Sequence, residues 1–422
     1  MNSNSLRNSV SAGRRVTKAM NWLRRLGQNR LWDFGAAVIA VLGIVHIAMA
    51  LPQRMRKEDF AHYYVARQLV FDTDNPYTVP VAPLYAQQGL DTEGVLLHIT
   101  DPPTVLWLFA PLGLLPRHVA FDLCVCVEIV SLILVLWLTR RLLNGRLSAR
   151  GWMFVCAATV TSGTVYWHFC YTQMQLSLAA VFLVALMSQR AGKHTTACLL
   201  VMAAGLLKLF PFVLLPWFLW RSSGGWVARG RRAALVVGLI AACVCLTGIG
   251  RWMEFIRDAM PVLRWYAERA SDSFSLGSLA AKCGPDLRVI GPLLGPALVA
   301  FCYASCCWFR GDREAEFCLL SVAMLAGGLV VWPHYLVFLI FPMALAATRI
   351  GAKPTVGRLI LFVLLGLAMN RFRLPGSPFL VRHVHLFFLV CAIPLYGLLG
   401  LAAFFWQEMR ARREPASASA GE

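Results

Sequence analysis

The 422-residue chain is 58% hydrophobic and only 14% charged, with a formal net charge of +19 and a mean hydropathy of +0.62. Apolar windows close to span length recur throughout, which excludes an ordinary soluble domain and calls for a polytopic helical membrane protein. The basic residues fall mainly in short clusters between apolar runs, as membrane orientation requires. No RNA- or DNA-binding motif accompanies them, so nucleic acid is the poorer reading of the charge.

Residues 1–32 carry Arg7, Arg14, Arg15, Lys18, Arg24, Arg25 and Arg30 ahead of the first acid, Asp33. That excess predicts a cytoplasmic basic N-terminal segment. A first span follows at 34–51. Its end, Ala48-Met49-Ala50, looks like a signal-peptidase site, but the apolar run is longer than an h-region and reads as an uncleaved span.

Residues 52–117 are the one long polar interruption and are expected to form the first outer loop. Glu58 and Asp59 open it. Phe60, Tyr63 and Tyr64 follow at helical spacing, in a pattern that suits a helix lying flat at a membrane surface. Asn75-Pro76-Tyr77 predicts a turn and Pro102-Pro103 a break. The apolar stretch 103–115 is too short to cross a ~30 Å hydrocarbon core at ~1.5 Å per residue. Keeping it at the outer interface also places Arg140, Arg141, Arg146 and Arg150 in the cytoplasm, so length and charge agree.

The same bookkeeping places spans near 118–138, 151–168, 173–187, 195–207, 211–220, 233–249, 289–309, 315–331, 336–348, 359–369 and 383–406. Cytoplasmic turns then carry Arg190 and Lys193, then Arg221, Arg229, Arg231 and Arg232, then Arg310 and Arg313, then Arg349, Lys353 and Arg358, and a tail carries Arg410, Arg412 and Arg413 on the same side. The expectation is an all-α domain over 33–406 with about twelve transmembrane helices, and a disordered cytoplasmic tail over 407–422. Arg371, Arg373 and Arg382 strain the charge rule on an outer segment and become candidates to face a substrate. Glu128 lies about ten residues into its span, ~15 Å deep, and is expected to face other helices through hydrogen bonds.

Most of the thirteen cysteines fall within predicted spans as small core residues, with Cys283 the clearest exception. Cys302 and Cys306 lie one turn apart, but no histidine or carboxylate completes a metal site. Several polar residues stand where hydrocarbon alone would not tolerate them. Asp59 follows the first span; Lys208 ends a 14-residue apolar run before Leu209-Phe210-Pro211; His334 lies in Trp332-Pro333-His334-Tyr335; Gln173 and Gln175 open another span. Each has a plain reading, as an interfacial charge, a snorkelling lysine or a capping histidine. The topology nevertheless puts all of them on one face of the membrane.

The chain resembles the polytopic glycosyltransferases of the GT-C fold, and specifically glycosyltransferase family 87, which includes polyprenyl-phosphate-mannose-dependent α-mannosyltransferases. The similar pieces are Asp59-Phe60 with Tyr63 and Tyr64, Asn75-Pro76-Tyr77, Pro102-Pro103, Ala110-Pro111-Leu112, Leu115-Pro116, the Gln173 segment, Lys208 with Pro211, and Pro333-His334-Tyr335. They spread in order over residues 33–350. The family commonly has a tyrosine where this chain has Asp101, and a glycine where it has Thr172.

The resemblance implies a first outer loop that carries juxtamembrane helices and a catalytic acid. It implies transfer of a hexose, mannose in the first instance, from a polyprenyl-phosphate donor to a hydroxyl of a glycan or glycolipid. In that scheme Asp59 is the general base. Lys208 and His334 hold the donor phosphate, with Arg251 as a further candidate. Tyr63, Tyr64, Asn75, Tyr77 and Gln173 bind substrate. Neither cofactor nor metal is expected, since a lipid phosphate leaving group beside cations does not demand a metal. The expected location is the bacterial inner membrane, multi-pass, with the site facing the exterior and lipids as neighbours. A transporter or flippase is the rival class, with Asp122 and Glu128 marking a path, but no pair of broken spans repeats in two halves. A third reading is an assembly factor that kept the scaffold and lost the reaction.

Overall fold

A computed structural model of the chain describes residues 30–54, 58–90, 98–269, 273–309, 311–352, 354–369 and 392–413. Every regular element among them is helical, the form that satisfies backbone donors and acceptors within one segment. Five helices are long and apolar enough to cross a membrane, or six if one bent pair counts as a single crossing. The protein is therefore an integral membrane protein by architecture, although fewer described helices reach spanning length than the roughly twelve expected from hydropathy.

Helix α1 (Arg30–Arg54) covers the first predicted span. The long loop contains α2 (Glu58–Phe71), α3 (Val81–Gln87) and α4 (Pro103–Phe109), the last running into a 3-10 turn over Ala110–Leu114. Helix α2, with its aromatics at helical spacing, is enclosed by protein. Phe60, Ala61, Tyr63, Val65, Ala66 and Leu69 are all buried, against α4, the 3-10 turn and neighbouring helices. A helix apolar on so many sides is held by protein, whatever its angle to the bilayer. The approach is close at Gly113, where an added Cβ would come within 2.8 Å of the Arg67 side chain.

Next come α5 (Arg117–Leu143), α6 (Ala149–Val160), α7 (Gly163–Tyr171), α8 (Gln175–Arg190) and α9 (His194–Leu207). The span expected over 151–168 is broken in two, because the Ser162 hydroxyl caps a new helix by accepting from Val165 N at 3.2 Å. Helices α7 and α8 then meet at 116°. The corner is Thr172, with φ 51°, a left-handed conformation that a β-branched residue seldom adopts. This is the position where the resemblance puts glycine.

The predicted span 195–207 is the 14-residue α9, about 21 Å long, and 211–220 is a 3-10 turn followed by α10 (Leu215–Trp220). Beyond α11 (Trp226–Thr247), the second long connection holds α12 (Ile249–Glu254), a π turn over Phe255–Ala259, α13 (Met260–Arg269) and α14 (Leu276–Cys283). The chain continues with α15 (Pro285–Trp308), α16 (Arg313–Ala326), a 3-10 turn over Pro333–Leu339, α17 (Ile340–Ala352), α18 (Val356–Met369) and α19 (Ile393–Arg413). The last helix runs past residue 406, and Arg371, Arg373 and Arg382 lie outside the described residues.

Ion pairs show which ends belong together. Arg146 meets Glu314 at 2.5 Å and Arg190 meets the same carboxylate. Arg349 and Arg412 reach Asp312 at 2.7 and 3.0 Å, and Arg358 reaches Glu408 at 2.8 Å. These are the turns that the charge rule assigned to one side, and contacts join them at one end of the molecule. The long loop is tied instead to the 249–269 connection: Asn75 Nδ2 donates to Asp258 at 2.8 Å, and Arg251 donates to Thr73 O at 2.9 Å.

Candidate active site

The site forms where the long loop meets the loop-side ends of α9 and the turn after α16. Pro102 and Pro103 prepare one wall. A residue before proline is steered to extended geometry, and Pro102 adopts it with φ −57° and ψ 153°. Pro103 then occupies the first helical turn of α4, where its missing N–H costs nothing. Asp101 is left projecting just before this start. On the opposite wall, Lys208 ends α9 with extended backbone (φ −141°, ψ 123°), and Pro211 opposes continuation of the helix.

These two residues meet. Lys208 Nζ donates to Asp101 Oδ1 at 2.7 Å, and His62 Nδ1 lies 3.9 Å from the other carboxylate oxygen. Both partners of the ion pair are largely buried, with side chains 12% and 9% exposed. Two further bonds hold the walls in place. Thr104 donates its hydroxyl proton to Leu206 O, and Tyr77 donates to Asp101 O at 3.1 Å. Burial alone would raise the Asp101 carboxyl, but the charges of Lys208 and His62 and the lysine hydrogen bond pull it below its usual range. Burial pushes His62 down to about 4, against the pull of Asp101, so this imidazole is neutral at physiological pH.

Each residue singled out in the sequence has a definite place. Tyr63 is buried and stacks on Phe109, ring centroids 4.1 Å apart. Tyr64 donates to Leu115 O at 3.0 Å, which commits its hydroxyl to the loop. Asn75 closes a turn by accepting from Tyr77 N at 3.0 Å, while its amide holds Asp258. Tyr77 is buried against Phe255. Gln173 is buried and accepts from the Gln175 amide. Arg251 is spent on the carbonyls of Thr73 and Asp74 and on Glu254 at 3.3 Å. Asp59 lies in the first turn of α2, and helical register puts it on the face that carries His62 and Tyr63; its side chain is outside the described residues.

His334 sits in the 3-10 turn after Trp332-Pro333, only 3% exposed, with the Tyr171 ring 5.1 Å away. Neither of its ring nitrogens has a hydrogen-bond partner among the described residues. It is close enough to Lys208 for the ammonium's field to reach it. A buried imidazole with two unmet nitrogens is costly, and a ligand that accepts or donates there relieves the cost.

Behind it, Glu128 accepts from His168 Nε2 at 2.8 Å and from Ser177 N at 3.3 Å, with a further bond from the Ser177 hydroxyl. The depth argument required such partners for this carboxylate. Glu128→Gln is expected to keep fold and activity. Glu128→Leu strands the His168 and Ser177 donors and is expected to cost about 1–3 kcal/mol, read as a lower Tm of the purified protein.

Sequence reasoning missed Asp101 and His62 as members of the site. Asp101 stood out only as a departure from a family pattern. The available signal was an acid fixed ahead of two prolines in the same loop as Asp59. An apolar groove of about 230 Å³ adjoins this wall, lined by Val70, Pro76, Trp107, Leu246 and Arg251 among others.

The fold and the site define a polytopic membrane protein with a buried charged centre at one end, walled by a structured loop. The family model of glycosyltransferase family 87 matches residues 100–333, more than half of the chain, and the protein belongs to that family. It is accordingly a membrane glycosyltransferase, using a sugar donor and an acceptor. The match takes in Asp101, Gln173 and Lys208 and ends one residue before His334; the Asp59 segment lies ahead of it. No curated protein and no solved structure matches the chain.

Proposed function

We propose that the protein transfers a hexose, mannose in the first instance, from a polyprenyl-phosphate donor to a hydroxyl of a glycan or glycolipid at the outer face of the bacterial inner membrane. The observation that carries this reading is the buried Lys208 ammonium at a helix end, with its field reaching His334, whose ring nitrogens have no hydrogen-bond partner among the described residues. A cation and an unsatisfied ring nitrogen at the junction of loop and spans suit a lipid phosphate whose tail stays in hydrocarbon. The apolar groove past Trp107 offers that tail a path.

The displacement inverts the anomeric centre in one step. The acceptor oxygen bonds to C1 of the sugar while the C1–O bond to phosphate breaks. Its electron pair stays on the phosphate oxygen, and the acceptor proton goes to a carboxylate. Asp59 is the proposed base, placed by register beside His62 and Tyr63. Lys208 and His334 stabilise the charge that grows on the leaving phosphate. Tyr63, within range of the Lys208 ammonium, and Gln173, two residues past the Tyr171 ring that lies against His334, are the better substrate contacts of those expected. Tyr64, Asn75 and Tyr77 shape the loop through the bonds described above. The overall scaffold is proposed to be GT-C with about twelve crossings.

Comparing lipids and surface glycans of a deletion strain with its parent by mass spectrometry tests the reading. The expected result is loss of one hexose from a glycan or glycolipid; unchanged glycans with accumulation of an untransported lipid would favour the transporter class. Sidedness is tested separately. With native cysteines replaced, Leu114→Cys, an exposed position, is expected to label from outside the cell and Ala149→Cys only after permeabilisation. The opposite pattern would place the site in the cytoplasm.

A further inference from the structure

The Asp101–Lys208 pair raises a question of charge. A lysine that receives an anionic donor is already neutralised, at 2.7 Å, by a carboxylate of its own chain. The pair is not incidental. Tyr77 fixes the Asp101 backbone, the Thr104 hydroxyl latches the same loop to Leu206, and both charged groups are largely buried. Among the described residues, the other polar groups facing the pair are His62 at 3.9 Å from the carboxylate, Tyr77 bonded to the Asp101 carbonyl, and Tyr63, Tyr335 and His334 within range of the ammonium's field. Lys208 is the only lysine or arginine among these groups.

The donor and the product differ in charge. A sugar phosphodiester carries one negative charge, whereas the polyprenyl phosphate monoester left after transfer carries between one and two near neutral pH, its second ionisation lying near pH ~6, as for other phosphate monoesters. A fixed carboxylate nearby repels the second species more than the first, since the repulsion scales with the product of the charges.

We propose that Asp101 is a built-in competing anion for Lys208, exchanged for the donor phosphate on binding and acting against retention of the more highly charged product. Asp101 is thus a positioning residue. It holds the ammonium in place when the site is empty and sets the discrimination between diester and monoester. The proposal rests on the reading of Lys208 as the donor-phosphate ligand.

The test uses the full-length protein in lipid nanodiscs. Two probes are titrated, a short-chain prenyl phosphate monoester and the corresponding prenyl methyl phosphate diester. Wild type is expected to bind both. Asp101→Asn is expected to bind the monoester about tenfold tighter and the diester less than that, with product inhibition strengthened in step and donor KM lowered by a smaller factor. A merely structural Asp101 would weaken both ligands alike. If Asp101→Asn does not fold, Asp101→Glu, which keeps the charge, must retain the wild-type preference between probes; losing that preference overturns the proposal. An unchanged monoester-to-diester ratio in Asp101→Asn overturns it as well, while leaving the donor reading intact. If wild type and a Lys208→Met/Asp101→Asn double variant bind both probes equally, the donor reading fails and the proposal falls with it.

Discussion

Asp59→Asn is expected to lower turnover by roughly 10²–10⁴-fold, the usual contribution of a general base, while donor binding stays near wild type. The acceptor hydroxyl is a poor nucleophile until its proton is taken during attack, and an amide of the same shape cannot take it. The position supports the assignment. Asp59 shares a helix face with His62, which approaches Asp101, and with Tyr63, which packs on Phe109. Steady-state rates with saturating donor measure the effect. Near wild-type turnover in Asp59→Asn would remove it from the reaction and make Glu58 the next candidate.

The second large effect is expected at the phosphate. Lys208→Ala alone is a poor probe, because it leaves Asp101 buried without its partner, a situation that costs about 3–5 kcal/mol. The neutral pair Lys208→Met/Asp101→Asn removes both charges together. It is expected to fold and to lose turnover on the order of 10²–10³-fold, as when a donor to a developing oxyanion is removed. His334→Ala is expected to lose less. Combining it with the neutral pair should cost less than the sum, since groups acting on one phosphate are not additive. Turnover and donor KM for each variant provide the comparison. Strict additivity would mean that Lys208 and His334 serve different groups.

Much of the architecture is legible in the sequence because hydrophobic length and basic clusters are local signals. The 140–150, 190–193, 310–313 and 349–358 turns could be assigned to one end from their arginines, and their ion pairs to Asp312 and Glu314 join them there. Lys208 was visible as a charge that ends an apolar run. What stayed hidden was pairing across distance. Asp101 and Lys208 are 107 residues apart, and Glu128 finds its partners 40 and 49 residues away. Hydropathy also could not separate a crossing from a broken helix. The stretch 151–168 carries no Asp, Glu, Lys or Arg and reads as one crossing, yet the Ser162 hydroxyl capping Val165 starts a second helix inside it. The loop helix α2 was recognisable by spacing, but its enclosure depends on α4 and the turn around Gly113, which composition does not reveal.

The central claim, sugar transfer from a lipid phosphate at the Lys208 site, is tested most directly by reconstitution. Purified protein in liposomes is given a polyprenyl-phosphate hexose labelled in the sugar, together with membrane glycolipid acceptors from the deletion strain. The expected result is label moved to an acceptor with release of polyprenyl phosphate, abolished in Asp59→Asn and strongly reduced in Lys208→Met/Asp101→Asn. Transfer from a nucleotide sugar but not from the lipid phosphate, or full transfer by the neutral-pair variant, would contradict the account.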